Sequence, residues 1–166
     1  KMFVDAGAEV IKLSVPGPHE PAPFSMWLDR GKSSVVLDWC TPEGKTLLGR
    51  LLRAVDVLIS DRECEGPSRE LAEIARGVPQ LVHVSTSDLG HEGPFAERPS
   101  TDLTVAALSG MCYINGEAGK VPLREPGNQT AVVAGIAAYL GAMAALIDRA
   151  QADEGQAVEV SALEAM

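Results

Sequence analysis

Ser33-Ser34-Val35-Val36-Leu37-Asp38 runs through Trp39-Cys40 into Thr41-Pro42-Glu43-Gly44, and the next apolar stretch is Val55-Asp56-Val57-Leu58-Ile59-Ser60. The first six residues read as a strand whose run of apolar side chains suggests burial on both faces. Thr41 is a good helix N-cap and Pro42 fits the first helical position, where its missing N–H costs nothing. The helix then runs to about Ala54, with Leu47, Leu48, Leu51 and Leu52 on one side. Strand, helix and strand in this order predict a βαβ unit and a parallel sheet.

The same alternation extends both ways. Upstream, Lys1 to Ala6 reads as helix ended by Gly7, and Glu9-Val10-Ile11-Lys12-Leu13 as a strand. Pro16-Gly17-Pro18 and Pro21-Ala22-Pro23 make a stiff, irregular loop. Downstream, a helix from about Pro67 to Arg76 leads to a strand at Gln80-Leu81-Val82-His83-Val84-Ser85. A polar loop covers Thr86 to Ser100, a short helix Thr101 to Gly110, and a loop-rich segment Met111 to Gly127. A long helix spans about Asn128 to Arg149, and Gln156 to Ser161 is a last strand. The expected fold is α/β, with one open, mostly parallel sheet that includes Val10–Leu13, Ser34–Leu37, Val57–Ile59 and Leu81–Val84, and helices on both faces.

Composition narrows the function. Hydrophobic residues make up 46% and charged residues 22%, which suits a globular chain, and aromatics are only 4%, so the core must be aliphatic. A net charge of −9 argues against nucleic acid as partner, since such binding needs Lys and Arg to neutralise phosphates. Residues 1–76 nevertheless hold ten of the fourteen basic residues, so an anionic ligand would meet that half. Cys40, Cys64 and Cys112 form no C-x-x-C pair, so neither a disulfide framework nor a zinc site is expected, and reduced thiols suit a cytoplasmic protein. Ala131 to Ile147 carries seven alanines and two glycines and reads as a buried helix rather than a membrane span. Both ends of the sequence fall within apparent helices, so a domain truncated at both ends is expected.

In open parallel sheets, ligands bind beyond the carboxyl ends of the strands. Those ends are here Ser14–Gly17, Asp38–Thr41, Ser60–Gly66 and Ser85–Gly93. His91, Asp88 and Ser85 or Ser87 can be drawn on paper as a triad, but without a G-x-S-x-G elbow a polar loop supplies such residues by chance. Arg30 and Lys32 in Asp29-Arg30-Gly31-Lys32 could contact a phosphate or sit in a solvated turn. Gly116 to Lys120 lacks the spacing of a phosphate loop. Cys40 could be reactive, although such a cysteine more often packs.

Three stretches together are more specific: Asp5-Ala6-Gly7-Ala8-Glu9-Val10-Ile11-Lys12, then Asp29 to Asp38 running into Thr41-Pro42-Glu43-Gly44, then Arg98-Pro99-Ser100-Thr101-Asp102-Leu103 running into Ala107-Leu108-Ser109-Gly110. In order and spacing the chain resembles the family III CoA-transferases, a group that includes carnitine CoA-transferase-like proteins and α-methylacyl-CoA racemases. Gly135, Gly141, Ala144-Ala145-Leu146 and Gly155 to Ser161 continue the match. The resemblance implies part of a Rossmann-like large domain from an interlocked dimer. It also implies CoA or acyl-CoA and a carboxylic acid as substrates, no metal, and a homodimer or tandem-domain partner.

Matched by motif, the CoA-binding positions are Leu37, Asp38, Trp39 and Cys40, then Asp61 and Arg62, then Arg69. Family transferases use an aspartate carboxylate that attacks the thioester to give a mixed anhydride. Counting back from Gly141 and Gly135 puts that aspartate at Ala131, which cannot act as a nucleophile. The racemase His and Asp positions read Thr101 and Ala131. Asp61-Arg62 stands in place of the family's Asn–aromatic pair, and Ser14 in place of a frequent Glu. Two readings follow: a transferase whose nucleophile another copy supplies, or a non-catalytic CoA-binding or dimerisation domain.

Overall fold

The computed structural model describes all residues except 18–22, 62–66 and 97, and side chains except also those at 23 and 67–69. Its strands are β1 (Ile11–Ser14), β2 (Ser33–Val36), β3 (Val57–Asp61), β4 (Val82–Ser87) and β5 (Ala157–Ser161). Its helices are α1 (Met2–Asp5), α2 (Pro23–Asp29), α3 (Pro42–Leu52), α4 (Pro67–Arg76), α5 (Asp102–Leu108), α6 (Met111–Ile114), α7 (Gln129–Ala152) and α8 (Ala162–Ala165). Pro23, placed by sequence in an irregular loop, opens α2, a position proline tolerates. The segment expected to be loop from Met111 contains α6.

Every strand pair is parallel: β1 with β2, β3 with β4, and β4 with β5. The expectation of a single sheet through all four named segments is corrected, because β1–β2 and β3–β4–β5 are separate sheets. The reason lies in the winding. From β1 the chain adds β2 on one side, whereas from β3 it adds β4 and then β5 outward on the other. The two halves grow away from each other, and β1 does not pair with β3.

Helices pack on both faces of β3–β4–β5, whereas β2 is exposed along its length, so the burial on both faces expected for Ser33–Asp38 is corrected: β2 is an edge strand. Leu48 and Leu52 of α3 are almost fully buried against Trp39, Leu58, Leu71, Ala75 and Leu81, with Leu13 and Leu37 packed alongside. On the opposite face Ala138, Ala142 and Ala145 of α7 lie on Val82, Val84 and Val160. Alanine permits that approach, and Gly141 is needed for the same reason, since a Cβ there would come within 2.9 Å of Val158 Cγ1. α7 is long and apolar enough to cross a bilayer by length and composition, but its small-residue stripe is seated on the sheet.

The β2-to-α3 turn follows its sequence closely. Thr41 accepts from Gly44 N at 3.1 Å and donates through Oγ1 to Asp38 O at 2.8 Å. The Asp38 carboxylate accepts from Cys40 N at 3.1 Å. Gly44 is required by space rather than by φ, because a Cβ there would lie 1.8 Å from Asp38 O. Gly44→Ala should therefore displace the whole turn and lower stability by about 3 kcal/mol, at the upper end of overpacking costs. Urea unfolding of the two proteins checks this, and an unchanged midpoint would contradict the close approach.

Candidate functional site

The carboxyl ends of the strands bring some of the expected residues together and withdraw others. Leu37 donates its N–H to Ser14 O at 2.9 Å and packs on the α3 core, and Trp39 is only 7% exposed within that core. Their side chains pack beneath the carboxyl end of β2. Cys40 is exposed beside them as a free thiol. Near it, Lys45 of α3 pairs with Glu70 of α4 at 2.6 Å, and the Glu70 carboxylate holds the Lys45 ammonium above its ordinary value.

At the end of β3, Asp61 accepts from Thr86 Oγ1 at 2.7 Å, which fixes its carboxylate toward β4. Arg62 lies outside the described residues. Arg69 is in the first turn of α4, one residue before Glu70, and its side chain is also outside the described part. α4 follows β3 directly, so its first turn sits on the same carboxyl side as Asp38–Cys40.

Arg30 and Lys32 are on the other side of the sheet. They precede β2 and flank its amino end, where Lys32 bonds the Asp29 carboxylate at 3.1 Å and Lys12 bonds it too. The Lys12 hydrogen bond, against a smaller opposing effect of burial, holds the Asp29 carboxyl below its usual range. Lys12 thus ties α2 to β1 and Lys32 ties the start of β2 to the same carboxylate, and neither Arg30 nor Lys32 lies at the carboxyl ends of the strands.

The paper triad does not assemble. His91 Nε2 faces Ser85 O at 3.3 Å, Ser87 Oγ accepts from Gly90 N, and Asp88 accepts from Ser100 Oγ at 2.6 Å. A cavity of about 180 Å³ beyond β4 and β5 is lined by Gly90, His91, Glu92, Glu159, Ser161 and Glu164. Three carboxylates give that end of the sheet a negative potential.

Two arrangements were not read from sequence. Ser60 Oγ and His83 Nε2 hydrogen-bond at 2.9 Å across β3 and β4. Burial first, then the Arg76 and His91 charges, push the His83 imidazole below its ordinary value. The second is at α7. Asp102 of α5 accepts from Thr130 Oγ1 at 2.6 Å and Thr130 N at 3.3 Å, and its other oxygen meets Arg124 Nε at 3.2 Å. Arg124 also donates to Gly127 O at 3.0 Å. Buried Thr130 is therefore clamped, and Ala131, the next residue, is held exposed in the first turn of α7. Glu125 is half-buried six residues upstream, and both oxygens of Asp102 are engaged.

His83 gives a pH test with a defined sign. Its folded pKa is lowered, so below the ordinary imidazole value of about 6.5 the unfolded chain binds the proton first and stability falls with pH. The urea midpoint should drop between about pH 7.5 and pH 5.5, and His83→Gln should shrink that drop. An identical drop in the variant would remove His83 as its source.

The sequence model described as CoA-transferase family III matches residues 1–166. A succinate–glutarate CoA-transferase of Agrobacterium fabrum is 29% identical over 185 residues, covering 99% of this chain and 46% of that protein. Human alpha-methylacyl-CoA racemase is 32% identical over 168 residues, covering 98% of this chain and 43% of that one. Among solved structures, a CAIB/BAIF family protein from Brucella suis superposes with a TM-score of 0.84 at 26% identity, over 98% of this chain and 48% of its own. A hypothetical protein from Mycobacterium tuberculosis gives 0.81 at 27% identity, over 98% and 49%. The chain spans about half the length of these relatives. With the whole of residues 1–166 matched, the chain belongs to CoA-transferase family III.

Proposed function

We propose that the protein containing this chain moves CoA between carboxylic acids, with residues 1–166 supplying the α/β scaffold and an edge of the CoA site. The match of the family across all 166 residues carries this reading, and relatives that transfer CoA from succinate-type donors support it. CoA would lie along the carboxyl ends of β1, β2 and β3, over Leu37 and Trp39. Asp38, Cys40, Asp61 and Arg62 would border it, and Arg69 would face one of its phosphates. The acidic cavity past β5 favours that placement over the other end.

Transfer through a mixed anhydride needs a carboxylate within bonding reach of the thioester carbon, and an ångström of misplacement forfeits much of the rate. The carboxylate attacks, the C–S bond breaks, and CoA leaves as thiolate. In this chain the matching position is Ala131, and the Asp102–Thr130–Arg124 clamp keeps α7 from sliding another side chain into place. The nucleophile then comes from a second family domain, in tandem or in a partner copy of a cytoplasmic dimer. A second reading, a non-catalytic CoA-binding or dimerisation domain, is favoured by Ala131 itself.

Two experiments test these readings. Incubated with acyl-CoA and trapped with borohydride or hydroxylamine, residues 1–166 should form no acyl or CoA adduct by mass spectrometry. An adduct on Glu125 or any other carboxylate here would show that the chain carries its own nucleophile. In the full-length protein, Ala131→Asp should alter activity less than removal of an aspartate from a second copy. Separately, Arg69→Glu should weaken CoA binding by about 1–2 kcal/mol, the scale of a lost charge-assisted contact. An unchanged dissociation constant in a CoA titration would take Arg69 out of the site.

A further inference from the structure

Residues 1–166 contain two asparagines in different settings. Asn115 closes α6 and is followed by Gly116, whereas Asn128 precedes Gln129 at the start of α7. Gly116 has no Cβ to shield its nitrogen, and it holds φ at +106°, a conformation that suits glycine. A Cβ there would also come within 3.3 Å of Leu123 Cγ.

The Asn115 side chain and the Gly116 nitrogen are both uncommitted. Among the described residues, no hydrogen bond holds the Asn115 carboxamide and none takes up the Gly116 N–H. Asn115 is extended, with φ −93° and ψ 134°, so the Gly116 nitrogen reaches Cγ only by rotation about ψ. The bond from Asn115 N to Met111 O, 3.1 Å, lies before that torsion and does not resist it. What resists is the bond from Leu123 N to Asn115 O, and at 3.5 Å it is weak. Water reaches the pair, because Gly116 is exposed and lines, with Glu117 and Leu123, an open cavity of about 670 Å³. Asn128 lacks this freedom. Its carbonyl accepts from Val132 N at 3.1 Å, and Gln129 is the first residue of a 24-residue helix, so its ψ is held by α7.

We propose that Asn115 is a site of spontaneous covalent modification, in which the Gly116 nitrogen closes on the side-chain amide. Hydroxide or a buffer base removes the Gly116 N–H proton as the nitrogen bonds to Asn115 Cγ. The bond from Cγ to the side-chain nitrogen breaks, and ammonia leaves a five-membered succinimide. Water then opens the ring. Addition at the side-chain carbonyl gives aspartate, and addition at the main-chain carbonyl gives isoaspartate, in which the chain runs through the former side chain. Water is the sole co-reactant, and nothing is oxidised or reduced. Either product places a new carboxylate two residues from Glu117. Isoaspartate also adds a methylene to the main chain opposite Leu123, the neighbour of Arg124, which holds Asp102.

The test keeps the folded full-length protein at mildly alkaline pH and digests samples taken over time. Mass spectrometry follows the peptides that carry residues 115 and 128. Isoaspartate is read in the same peptides by methyl transfer from labelled S-adenosylmethionine with a protein isoaspartyl methyltransferase. Asn115 should convert within about 10-fold of its rate in a free peptide of residues 111–120, as for a loop that opens at little cost. Its peptide should accept methyl groups, and Asn128 should stay an amide over the same period. Asn115→Gln, whose longer side chain disfavours the five-membered ring, should remove methyl acceptance from that peptide. Conversion of Asn115 about 100-fold or more slower than in the free peptide would show that the fold holds the residue, and would overturn the proposal. Conversion of Asn128 as fast as Asn115, or methyl acceptance that survives Asn115→Gln in that peptide, would overturn it too.

Discussion

The close approach of α7 to β4 and β5 is the contact on which the rest depends. Ala138, Ala142 and Ala145 let the helix backbone come down onto Val82, Val84 and Val160, and a larger side chain at any of them would lift it. Seated there, α7 holds Phe3 through Tyr139 and so draws in α1 and the β1–β2 unit. Its far end is tied by Arg149, which donates to Gln80 O at 2.9 Å and meets Asp56 at 2.7 Å. Its near end is tied by Asp102. The position of residue 131 is thus set from both ends of a 24-residue helix.

Charge is distributed to match. The basic half of the sequence surrounds β1, β2 and β3, but its cations are not equivalent. Lys12 and Lys32 are spent on Asp29, bracing α2 against β1 and the start of β2, and Lys45 on Glu70, bracing α3 against α4. Such partly exposed pairs contribute little stability each; their value here is in orienting α2 and α4. The anionic cavity beyond β5 supplies the opposing gradient.

Much of the secondary structure was readable, and for identifiable reasons. Thr41-Pro42 announces α3 because cap and proline each satisfy a local rule, and the Leu81–Val84 run is buried as its apolar character requires, whereas the equally apolar Ser34–Leu37 run forms an exposed edge strand. The split of the sheet was not readable, since side-chain period assigns a residue to a strand but not a strand to a neighbour. The Asp102–Thr130 bond was equally hidden. Within its own helix Asp102 looks like an ordinary first-turn acid, and its partner is 28 residues on. Ser60 and His83 meet only because β3 and β4 pair in register. Of the two readings sequence left open for Arg30 and Lys32, the turn is the one found, at the amino end of β2, and nothing local says at which end of a strand a turn will lie.

The two tryptophans sit in opposite surroundings. Trp39 is sealed in the α3 core just after β2, whereas Trp27 is 57% exposed on α2. The chain therefore carries two intrinsic optical reporters of different colour: a blue-shifted emitter at the carboxyl end of β2, and a red-shifted one open to aqueous quenchers. With Trp27 silenced by Phe, the remaining fluorescence would come from a single indole whose surroundings change only when the α3 core or the turn after β2 changes, a built-in readout of that edge of the sheet that needs no added label.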